Sequence, residues 1–334
     1  MSEQVECMAR LKVRRILYVA LFAFLLLVYL ATISNGRRRS AIKIVDAMCQ
    51  KYMEGQLSGS YCEKICSCKD LKVFAHSTSN KAVIQIEIDG ERFLLKSAKR
   101  YFDQFDMVPD FISVAAFDSL LTDQIRSHTG LSLDGSLLGV KSIWSKQAVL
   151  SLADRRSVWA LSSQEEYLNF KLFDFTGLFP KVIGTCGHMY AVPIVKAYAS
   201  QWPFLTSSSA ADKFILTLRT LQYSHNEPLH WCDASSLNLG FNDDPEFPYL
   251  ILDADMLFTQ SGFSSLMAKM PCQHDSDCYF FDCRASCNRT ARWCSSRRLN
   301  SNVQVVCEKF VPWWYKKFAS SSDRLVALCS KGSL

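Results

Sequence analysis

The chain has 334 residues, of which 49% are hydrophobic and 21% are charged, enough apolar material for one large domain or two modest ones. This composition excludes general disorder. The net charge of +6 arises entirely in residues 1–43, where eight Lys and Arg side chains face two Glu. The rest of the chain is electrically neutral, which argues against a protein that binds nucleic acid by electrostatic attraction.

An apolar run covers residues 16–33, with Thr32 as its only clearly polar member. As a helix the run would be about 27 Å long at roughly 1.5 Å per residue, which suits a thin bilayer of about 27 Å such as the endoplasmic reticulum membrane. A cleaved signal peptide is the alternative, but it would have a shorter apolar region and a small-residue exit. We therefore predict a cytosolic tail at 1–15 and a transmembrane signal anchor at 16–34.

Thirteen of the fourteen cysteines follow the apolar run, mostly in two clusters at 49–68 and 272–307. This density is typical of an oxidising compartment, and the sequon at Asn288 is compatible with a lumenal surface loop. Zinc is the alternative, but the spacings lack paired C-x-x-C units. We predict disulfides, with at least one thiol left free or bonded to another chain, and a type II orientation with everything after residue 34 in the lumen.

The folded part begins with a predicted short basic linker and cysteine-rich segment at 35–70. Two β-rich runs then flank Asp89-Gly90 within residues 81–96, a pattern typical of a tight hairpin with a type I′ turn. The second run ends at Lys96. By itself, a lysine at a strand end is most simply a surface residue.

A helix is predicted over residues 154–173, because apolar side chains recur close to one face. Glu166 lies on this helix and could pair with Lys96, and its neighbour Glu165 is the alternative. Two strands around a glycine-containing turn are predicted within 181–195. Ser209 then predicts the start of another helix, since a capping side chain precedes an acidic residue and an apolar run.

A polar loop and an acidic strand end come next. Asp233 and Asn238 lie five residues apart between apolar segments, and a short apolar strand ends on Asp253. Phosphoryl transfer uses one Asp to accept the proton of the attacking hydroxyl, and an Asn and a second Asp to hold the metal ions. A β-hairpin with polar ends is the alternative for this spacing alone. The order of elements, from hairpin lysine to acidic strand end, favours a kinase-like interpretation.

The whole chain resembles the divergent protein kinase domain 1 family, which comprises type II endoplasmic reticulum membrane proteins with a cysteine-rich lumenal part. The matching segments are the apolar run, the first cysteine cluster, Val182-Ile-Gly-Thr-Cys-Gly-His-Met-Tyr190, Cys232-Asp-Ala-Ser-Ser-Leu-Asn-Leu-Gly-Phe-Asn242, and Cys272-x5-Cys278-x4-Cys283-x3-Cys287. The resemblance implies an α+β fold, a diverged two-lobed kinase-like domain at 71–334 that contains the second cysteine cluster. It also implies kinase roles for Lys96, Glu166, Asp233, Asn238 and Asp253.

Several residues depart from the kinase pattern. No glycine-rich loop precedes Lys96, and the candidate phosphate-binding turn is residues 76–80. Cys232 replaces the usual arginine before the catalytic Asp, and Ser235 replaces a lysine. Asp255 is an alternative metal ligand to Asp253. No Ala-Pro-Glu sequence follows, so the usual activation segment is not predicted.

Calcium is not expected to regulate the protein. Relatives in the family carry an EF-hand between the Lys strand and the Glu helix, but residues 143–154 offer few oxygen ligands at the required positions. In the second cysteine cluster Asp275, Asp277 and Asp282 lack the spacing of a calcium loop, so we interpret them as solvated spacers.

The leading hypothesis is therefore a lumenal, membrane-anchored kinase-like protein that binds ATP with Mg²⁺ or Mn²⁺ and transfers phosphate to a hydroxyl of a lumenal protein or a glycan. One alternative is a pseudokinase that uses the same fold as a scaffold for lumenal partners. Another is a cysteine-rich adhesion or receptor module without a nucleotide site. The last predicts that Lys96, Asp233 and Asp253 lie apart, whereas the kinase-like hypotheses require them to converge.

Overall fold

The computed structural model describes residues 2–76, 81–109, 112–131, 143–144, 150–197, 208–241, 249–310 and 323–331. Helices and strands are numbered here in chain order. The helices are α1 Ser2–Met53, α2 Cys62–Cys66, α3 Val114–Thr129, α4 Leu152–Ser162, α5 Glu165–Leu172, α6 Ser208–Tyr223, α7 Gln260–Met267, α8 Asn302–Lys309 and α9 Asp323–Lys331. The strands are β1 Lys72–His76, β2 Ala82–Ile88, β3 Glu91–Ser97, β4 Gly184–Cys186, β5 Met189–Pro193, β6 Lys196–Ala197, β7 Leu229–Trp231, β8 Leu239–Phe241, β9 Tyr249–Ile251, β10 Leu257–Thr259, β11 Tyr279–Phe280, β12 Cys283–Arg284, β13 Cys287–Asn288 and β14 Trp293–Cys294.

A five-stranded antiparallel sheet, in the order β1-β2-β3-β5-β4, forms the N-terminal part of the fold. The predicted hairpin is present as β2 and β3. Asp89 and Gly90 have φ values of 53° and 81°, so both turn residues are left-handed, as a type I′ turn requires. The two strands predicted within 181–195 are present as β4 and β5, and Gly187, at φ 57°, lies in the turn between them.

Helix α1 is longer than the sequence suggests. Within the described residues it is the one helix long and apolar enough to cross a membrane. Helix α1 runs on past residue 34 to Met53, so the first part of the segment predicted at 35–70 is helical. Its last turns carry apolar side chains at helical spacing that are buried in the same core as the sheet: Ala41, Ile44, Val45 and Met48.

Two disulfides join this end of α1 to the sheet. Cys49 bonds Cys66 of α2, and Cys62 of α2 bonds Cys186 of β4. Arg38 also donates a hydrogen bond to the carbonyl oxygen of Val73 at 3.0 Å. The apolar helix is thus continuous with a segment that is covalently tied to the N-terminal sheet.

The helix predicted over 154–173 is two helices, α4 and α5. The chain is extended at Gln164, with φ −118° and ψ 107°. The Gln164 side chain is buried and hydrogen-bonds three backbone groups around the break: it donates to Ala160 and His188 and accepts from the N–H of Ala98. These bonds stabilise the break, which a pattern of apolar spacing alone does not reveal.

The C-terminal part holds the larger core. Helix α6, which fits the helix predicted from Ser209, packs on strands β7 and β9 and buries Phe214, Leu218 and Leu221 in this core. Strand β7 pairs with β10, and β8 pairs with β6 and β9. The segment between β7 and β8 and the segment after β9 are therefore brought side by side.

A third, smaller cluster follows β10, and five of its eight buried members among the described residues are cysteines. Its disulfides are Cys232–Cys283, Cys272–Cys287 and Cys278–Cys294. A further disulfide, Cys307–Cys329, joins α8 to α9. The prediction of disulfides is confirmed. Cys68 is the free cysteine that the structure identifies, in agreement with the odd number expected after the apolar run.

Candidate nucleotide and metal site

Lys96 and Glu166 form a buried ion pair between the sheet and α5. The Lys96 ammonium contacts the Glu166 carboxylate and donates to the carbonyl oxygen of Leu252 at 2.9 Å. Tyr190, opposite Lys96 on β5, donates its hydroxyl to Glu166 at 2.8 Å. The alternative partner, Glu165, lies 2.9 Å from His128 instead. Consecutive residues on a helix point in different directions, and here Glu166 is the one that faces the sheet.

Asp253 and Asp255 lie beside this pair, just after β9. Both carboxylates contact the ammonium group of Lys81, and both oxygens of Asp253 are within 3.1 to 3.2 Å of it. Glu166 is also near, with 4.0 Å between its oxygen and the Lys81 nitrogen. The two Asp residues that the sequence offered as alternative ligands are therefore both part of one site.

The loop between β7 and β8 carries Asp233 and Asn238. Its last residues, Ser236–Asn238, form a 3-10 turn in which the Ser235 hydroxyl accepts a hydrogen bond from the N–H of Leu237. The Asn238 amide donates to the Asp233 carboxylate at 2.9 Å and to the Asp233 carbonyl at 3.2 Å. The five-residue spacing that was noted in the sequence thus closes into a compact turn in which the amide orients the carboxylate.

Direct hydrogen bonds connect the two groups of residues. The Asn238 carbonyl accepts from the N–H of Leu252 at 2.8 Å, and the Leu252 carbonyl accepts from Lys96. An unbroken series of contacts therefore runs from Asp233 through Asn238 and Leu252 to Lys96, and Asp253 is the next residue after Leu252. An adhesion module without a nucleotide site predicts that these side chains lie apart, and their arrangement does not fit it.

The electrostatics of the cluster follow from burial and from its five charged groups. Burial raises the pKa of Glu166 to about 7, against the opposing charge of Lys96. Burial also acts to raise the pKa of Asp253, but a hydrogen bond from Glu166 and the charges of Lys81 and Lys96 outweigh it and hold that pKa at about 2. Near neutral pH, Asp253 is therefore ionised beside Lys81 and Lys96.

The charges on Asp255 and Lys81 are linked in the same way. Burial, and then the negative charge of Asp253, raise the pKa of Asp255, while Lys81 opposes the rise. Burial acts to lower the pKa of Lys81, but the neighbouring carboxylates outweigh it and place that pKa above the usual range for lysine. Lys81 is therefore a permanent positive charge at the centre of the acidic residues.

The Asp233 loop is anchored to the second cysteine cluster by a disulfide and by Asp282, which the sequence analysis interpreted only as a solvated spacer. Cys232 bonds Cys283, and the N–H of Asp282 donates to the Cys232 carbonyl at 2.7 Å. The Asp282 carboxylate accepts from the N–H of Ala234 at 2.8 Å and from Lys309 at 2.7 Å. The residues on both sides of Asp233 are thus fixed. Cys232 stands where the kinase pattern has an arginine, and this difference is the sequence signal for the disulfide beside Asp233.

The donor set fits a hard divalent cation. Carboxylate and amide oxygens are the ligands that Mg²⁺ and Mn²⁺ use, and Asp253, Asp255 and Asn238 offer them on adjacent segments. Asn238 uses its amide nitrogen to bind Asp233, so a metal would meet its carbonyl oxygen. The Lys81 ammonium already lies between two of the carboxylates, which shows that their geometry accommodates a cation.

The carboxylates of the second cysteine cluster have other partners. Asp275 accepts from the N–H of Cys287, Asp277 accepts from the N–H groups of Gln273 and His274, and Asp282 holds the Asp233 loop. They are structural acceptors, not merely solvated spacers. Two other predictions concern segments that lie partly outside the described residues. These are the phosphate-binding turn, at residues 77–80, and the EF-hand segment, at residues 145–149.

Lys81 is the site residue that sequence reasoning missed. A signal for it was available in the hairpin, where the register pairs Val83 with Lys96. Residues opposite each other in a sheet share a face, and so do residues two apart along a strand. Lys81 therefore follows the same face as Lys96, one residue before β2.

Two family models match the chain. One, described as the protein-kinase domain of FAM69, covers residues 158–330, and the other, described as the N-terminal cysteine-rich ER segment of FAM69, covers residues 9–108. No solved structure matches. With its mixed sheet and helix content, disulfides and apolar N-terminal helix, the protein is of the kinase-like, α+β class.

More narrowly, the chain belongs to the FAM69 family. This confirms the resemblance to the divergent protein kinase domain family and the kinase-like fold predicted from the sequence. The cysteine-rich segment, the disulfides and the apolar helix fit a protein of the endoplasmic reticulum membrane. Lys81 and Lys96 lie in the region of the N-terminal model, and Asp233 and Asp253 in that of the kinase-domain model. The candidate site therefore draws on both matched regions.

Proposed function

We propose that this protein is a single-pass type II membrane protein of the endoplasmic reticulum. Its lumenal kinase-like domain binds ATP with Mg²⁺ or Mn²⁺ and transfers the γ-phosphoryl group to a hydroxyl of a secretory-pathway protein or a glycan. The observation that carries this proposal is the connected group of side chains described above, in which a lysine–glutamate pair, metal-type carboxylates and an Asp–Asn turn adjoin one another.

In this proposal the residues of the site divide the work of binding and proton transfer. Lys96, positioned by Glu166, binds the nucleotide phosphates, and Asn238 and Asp253 hold the metal. When bound, the metal would supply positive charge to neutralise the phosphates. Asp233 accepts the proton of the acceptor hydroxyl while the oxygen of that hydroxyl bonds to the γ-phosphorus. The bond between the γ-phosphorus and the β–γ bridging oxygen breaks, and ADP leaves. The Asn238 amide keeps one Asp233 oxygen occupied, which directs the other toward the acceptor.

The proposed orientation is supported by chemistry on one side of the apolar helix. The six disulfides among the described residues all follow residue 34, as an oxidising lumen requires. Asn288 is exposed in the second cysteine cluster. A glycosidase-sensitive mass shift that disappears in Asn288→Gln would support a lumenal position, and an exposed cytosolic epitope after residue 34 would contradict it.

A second candidate function is that of a pseudokinase scaffold. The observation that favours it is Lys81, whose ammonium group lies where a divalent cation would meet Asp253 and Asp255. If this ion pair is permanent, the carboxylates have no metal to hold. The loss of the arginine and lysine of the kinase pattern, at Cys232 and Ser235, is in keeping with this alternative.

The two candidates differ in whether ATP and a metal stabilise the fold. The test uses the full chain in detergent, because α1 contributes Ala41 and Ile44 to the core and a shortened chain would disturb it. ATP at 100 times its dissociation constant should add about 2.7 kcal/mol of stability and raise the melting temperature by a few degrees.

That shift should require Mg²⁺ or Mn²⁺ and should be lost in Asp253→Asn. A matched control is Asp70→Asn, which changes an exposed carboxylate elsewhere. Absence of any shift with either metal would favour the scaffold. A metal-dependent shift without phosphate transfer to any acceptor would leave nucleotide binding established and catalysis refuted for the acceptors used.

A further inference from the structure

Lys81 stands out among the charged residues because its partners come from distant parts of the chain. Its ammonium group lies within 3.1 to 3.2 Å of both Asp253 oxygens, contacts Asp255 and is 4.0 Å from Glu166. Its side chain is 33% exposed, so solvent and small ligands reach it. Three carboxylates surround this one lysine, whereas an ordinary surface ion pair joins one lysine to one carboxylate.

The hairpin explains this position. Lys81 precedes β2 by one residue and follows the sheet face that carries Val83 and Lys96. Together with the α5 residues Glu165 and Glu166, these side chains line one cleft. Two lysines therefore enter one cleft from the same face of the sheet, Lys96 on β3 and Lys81 one residue before β2.

A divalent cation at this site would need the oxygens that Lys81 occupies. Mg²⁺ is bound through one or two carboxylates together with substrate phosphates. The ammonium group and the metal cannot both lie between Asp253 and Asp255, because like charges at such a distance repel strongly in a partly desolvated site. Entry of a metal must move the Lys81 ammonium elsewhere within reach of its flexible four-carbon stem.

We propose that Lys81 is a second phosphate-binding lysine that exchanges with the metal. Without ligands its ammonium group holds Asp253 and Asp255 together in place of the cation; when metal and nucleotide enter, it moves onto the nucleotide phosphates beside Lys96. The chain has no glycine-rich loop to surround phosphates, and Lys81 supplies positive charge on that side of the cleft. The inference rests on the proposed nucleotide site and adds to it a residue with two positions.

The exchange predicts opposite effects of one substitution on two ligands. Lys81→Met removes the competing charge, so Mn²⁺ alone should bind more tightly, by about tenfold, a typical size for coupling between two ligands. The same variant lacks a charged hydrogen bond to phosphate, so ATP in saturating Mn²⁺ should bind about tenfold more weakly. A lysine that only stabilises the fold would not produce this pair of opposite shifts.

The experiment measures Mn²⁺ binding to the full chain in detergent by the loss of the free-ion electron paramagnetic resonance signal. ATP binding is then measured by thermal shift. Lys81→Arg keeps the charge and should retain weak Mn²⁺ binding, and Lys69→Met is the matched control at an exposed lysine. If Lys81→Met does not give a cooperative thermal transition, Lys81→Gln, which also removes the charge, replaces it.

The Mn²⁺ result tests the exchange, and the ATP result tests the phosphate contact. Equal Mn²⁺ affinity in the wild type and Lys81→Met would overturn the exchange, and unchanged ATP affinity would overturn the phosphate contact. In both cases the proposed nucleotide site would stand, because the wild type still binds its ligands. If neither protein binds Mn²⁺ and both are folded, the exchange and the proposed function fail together.

Discussion

The candidate site has two halves that are held together in different ways. In the first half, Lys81, Lys96, Glu166 and Asp253 come from separate elements and are joined by ion pairs and hydrogen bonds. In the second half, Asp233 and Asn238 lie in one turn whose neighbours are tied to the cysteine cluster by a disulfide and by Asp282. We call these the charge half and the loop half.

The difference teaches which half is adjustable. Ion pairs in a cleft respond to added cations and protons, since any new charge alters the balance among the existing ones. A loop fixed by a covalent bond and backbone hydrogen bonds keeps its geometry until those bonds break. We therefore expect the charge half to govern ligand binding and the loop half to be pre-organised for proton transfer. The following tests separate the two halves.

The largest expected effects are on phosphate transfer, and they differ between the two halves. Asp233→Asn should lower phosphate transfer by about 10² to 10⁴-fold, the usual contribution of a general base, while ATP and Mn²⁺ still raise the melting temperature. Asp253→Asn should abolish both. Radiolabel transfer and thermal shift on the same preparations provide the two measurements. Loss of nucleotide binding in Asp233→Asn would mean that the halves are not separable.

The next effect is on stability. Replacing Cys232 and Cys283 together by Ser opens a loop of 51 residues and should cost about 4 kcal/mol in the chain-entropy model. Denaturant unfolding of the full chain in detergent measures the loss. The matched control, Cys272→Ser with Cys287→Ser, opens a 15-residue loop in the same cluster and should cost about 3 kcal/mol.

The same two disulfide variants should also differ in activity. The Cys232–Cys283 variant should lose phosphate transfer at temperatures where it is still folded, because the residue before Asp233 is released. The control should keep its activity, since its disulfide does not contact the loop. Equal activity in both variants would show that the disulfide does not position Asp233.

A smaller effect concerns acid. Burial lowers the pKa of His188, whose carbonyl accepts from Gln164 at the start of α5, to about 4. Burial and then the charge of Arg298 lower the pKa of His230, on β7, to about 4. Below pH 6.5 the unfolded chain binds protons at both histidines and the native state does not, so stability falls between pH 6.5 and 4. Each histidine should contribute about 3 kcal/mol to that loss.

Thermal unfolding of the full chain in detergent between pH 7.5 and 4.5 tests this. Either His188→Gln or His230→Gln should remove part of the acid sensitivity. If the two halves unfold as one unit, both variants should reduce the pH dependence of the same unfolding transition. Two separate unfolding transitions, each with a pH dependence that only one variant reduces, would show that the halves unfold independently.

The smallest effect comes from Asp282. Asp282→Ala leaves the N–H of Ala234 and the Lys309 ammonium without their carboxylate partner and should cost about 2 kcal/mol. Asp275→Ala is the control, since it removes a carboxylate that accepts from a backbone N–H in the same cluster but away from the loop. Only Asp282→Ala should lower the transfer rate. A similar rate in the two variants would refute a positioning role for Asp282.

Local patterns made much of the fold predictable. The hairpin followed from alternating apolar residues around Asp89-Gly90, and α6 followed from a capping serine and helical spacing. These features depend on neighbours within a few residues, so the sequence displays their causes directly. The first part of the predicted linker and cysteine-rich segment at 35–70 is helical because burial of Ala41 and Ile44 against the sheet stabilises it, and that sheet is not visible in the local sequence. The same holds for the break at Gln164, which depends on His188.

The sequence by itself determined the class of the protein, the oxidised state of its cysteines and the spacing of Asp233 and Asn238, because composition and short-range spacing specify them. The tertiary structure decided which cysteines pair, that Glu166 and not Glu165 meets Lys96, and that Lys81 lies between Asp253 and Asp255. Lys81 and Asp253 are separated by 172 residues. Contacts over such separations arise from the packing of whole elements, and packing depends on every residue at the interface, not on a local pattern.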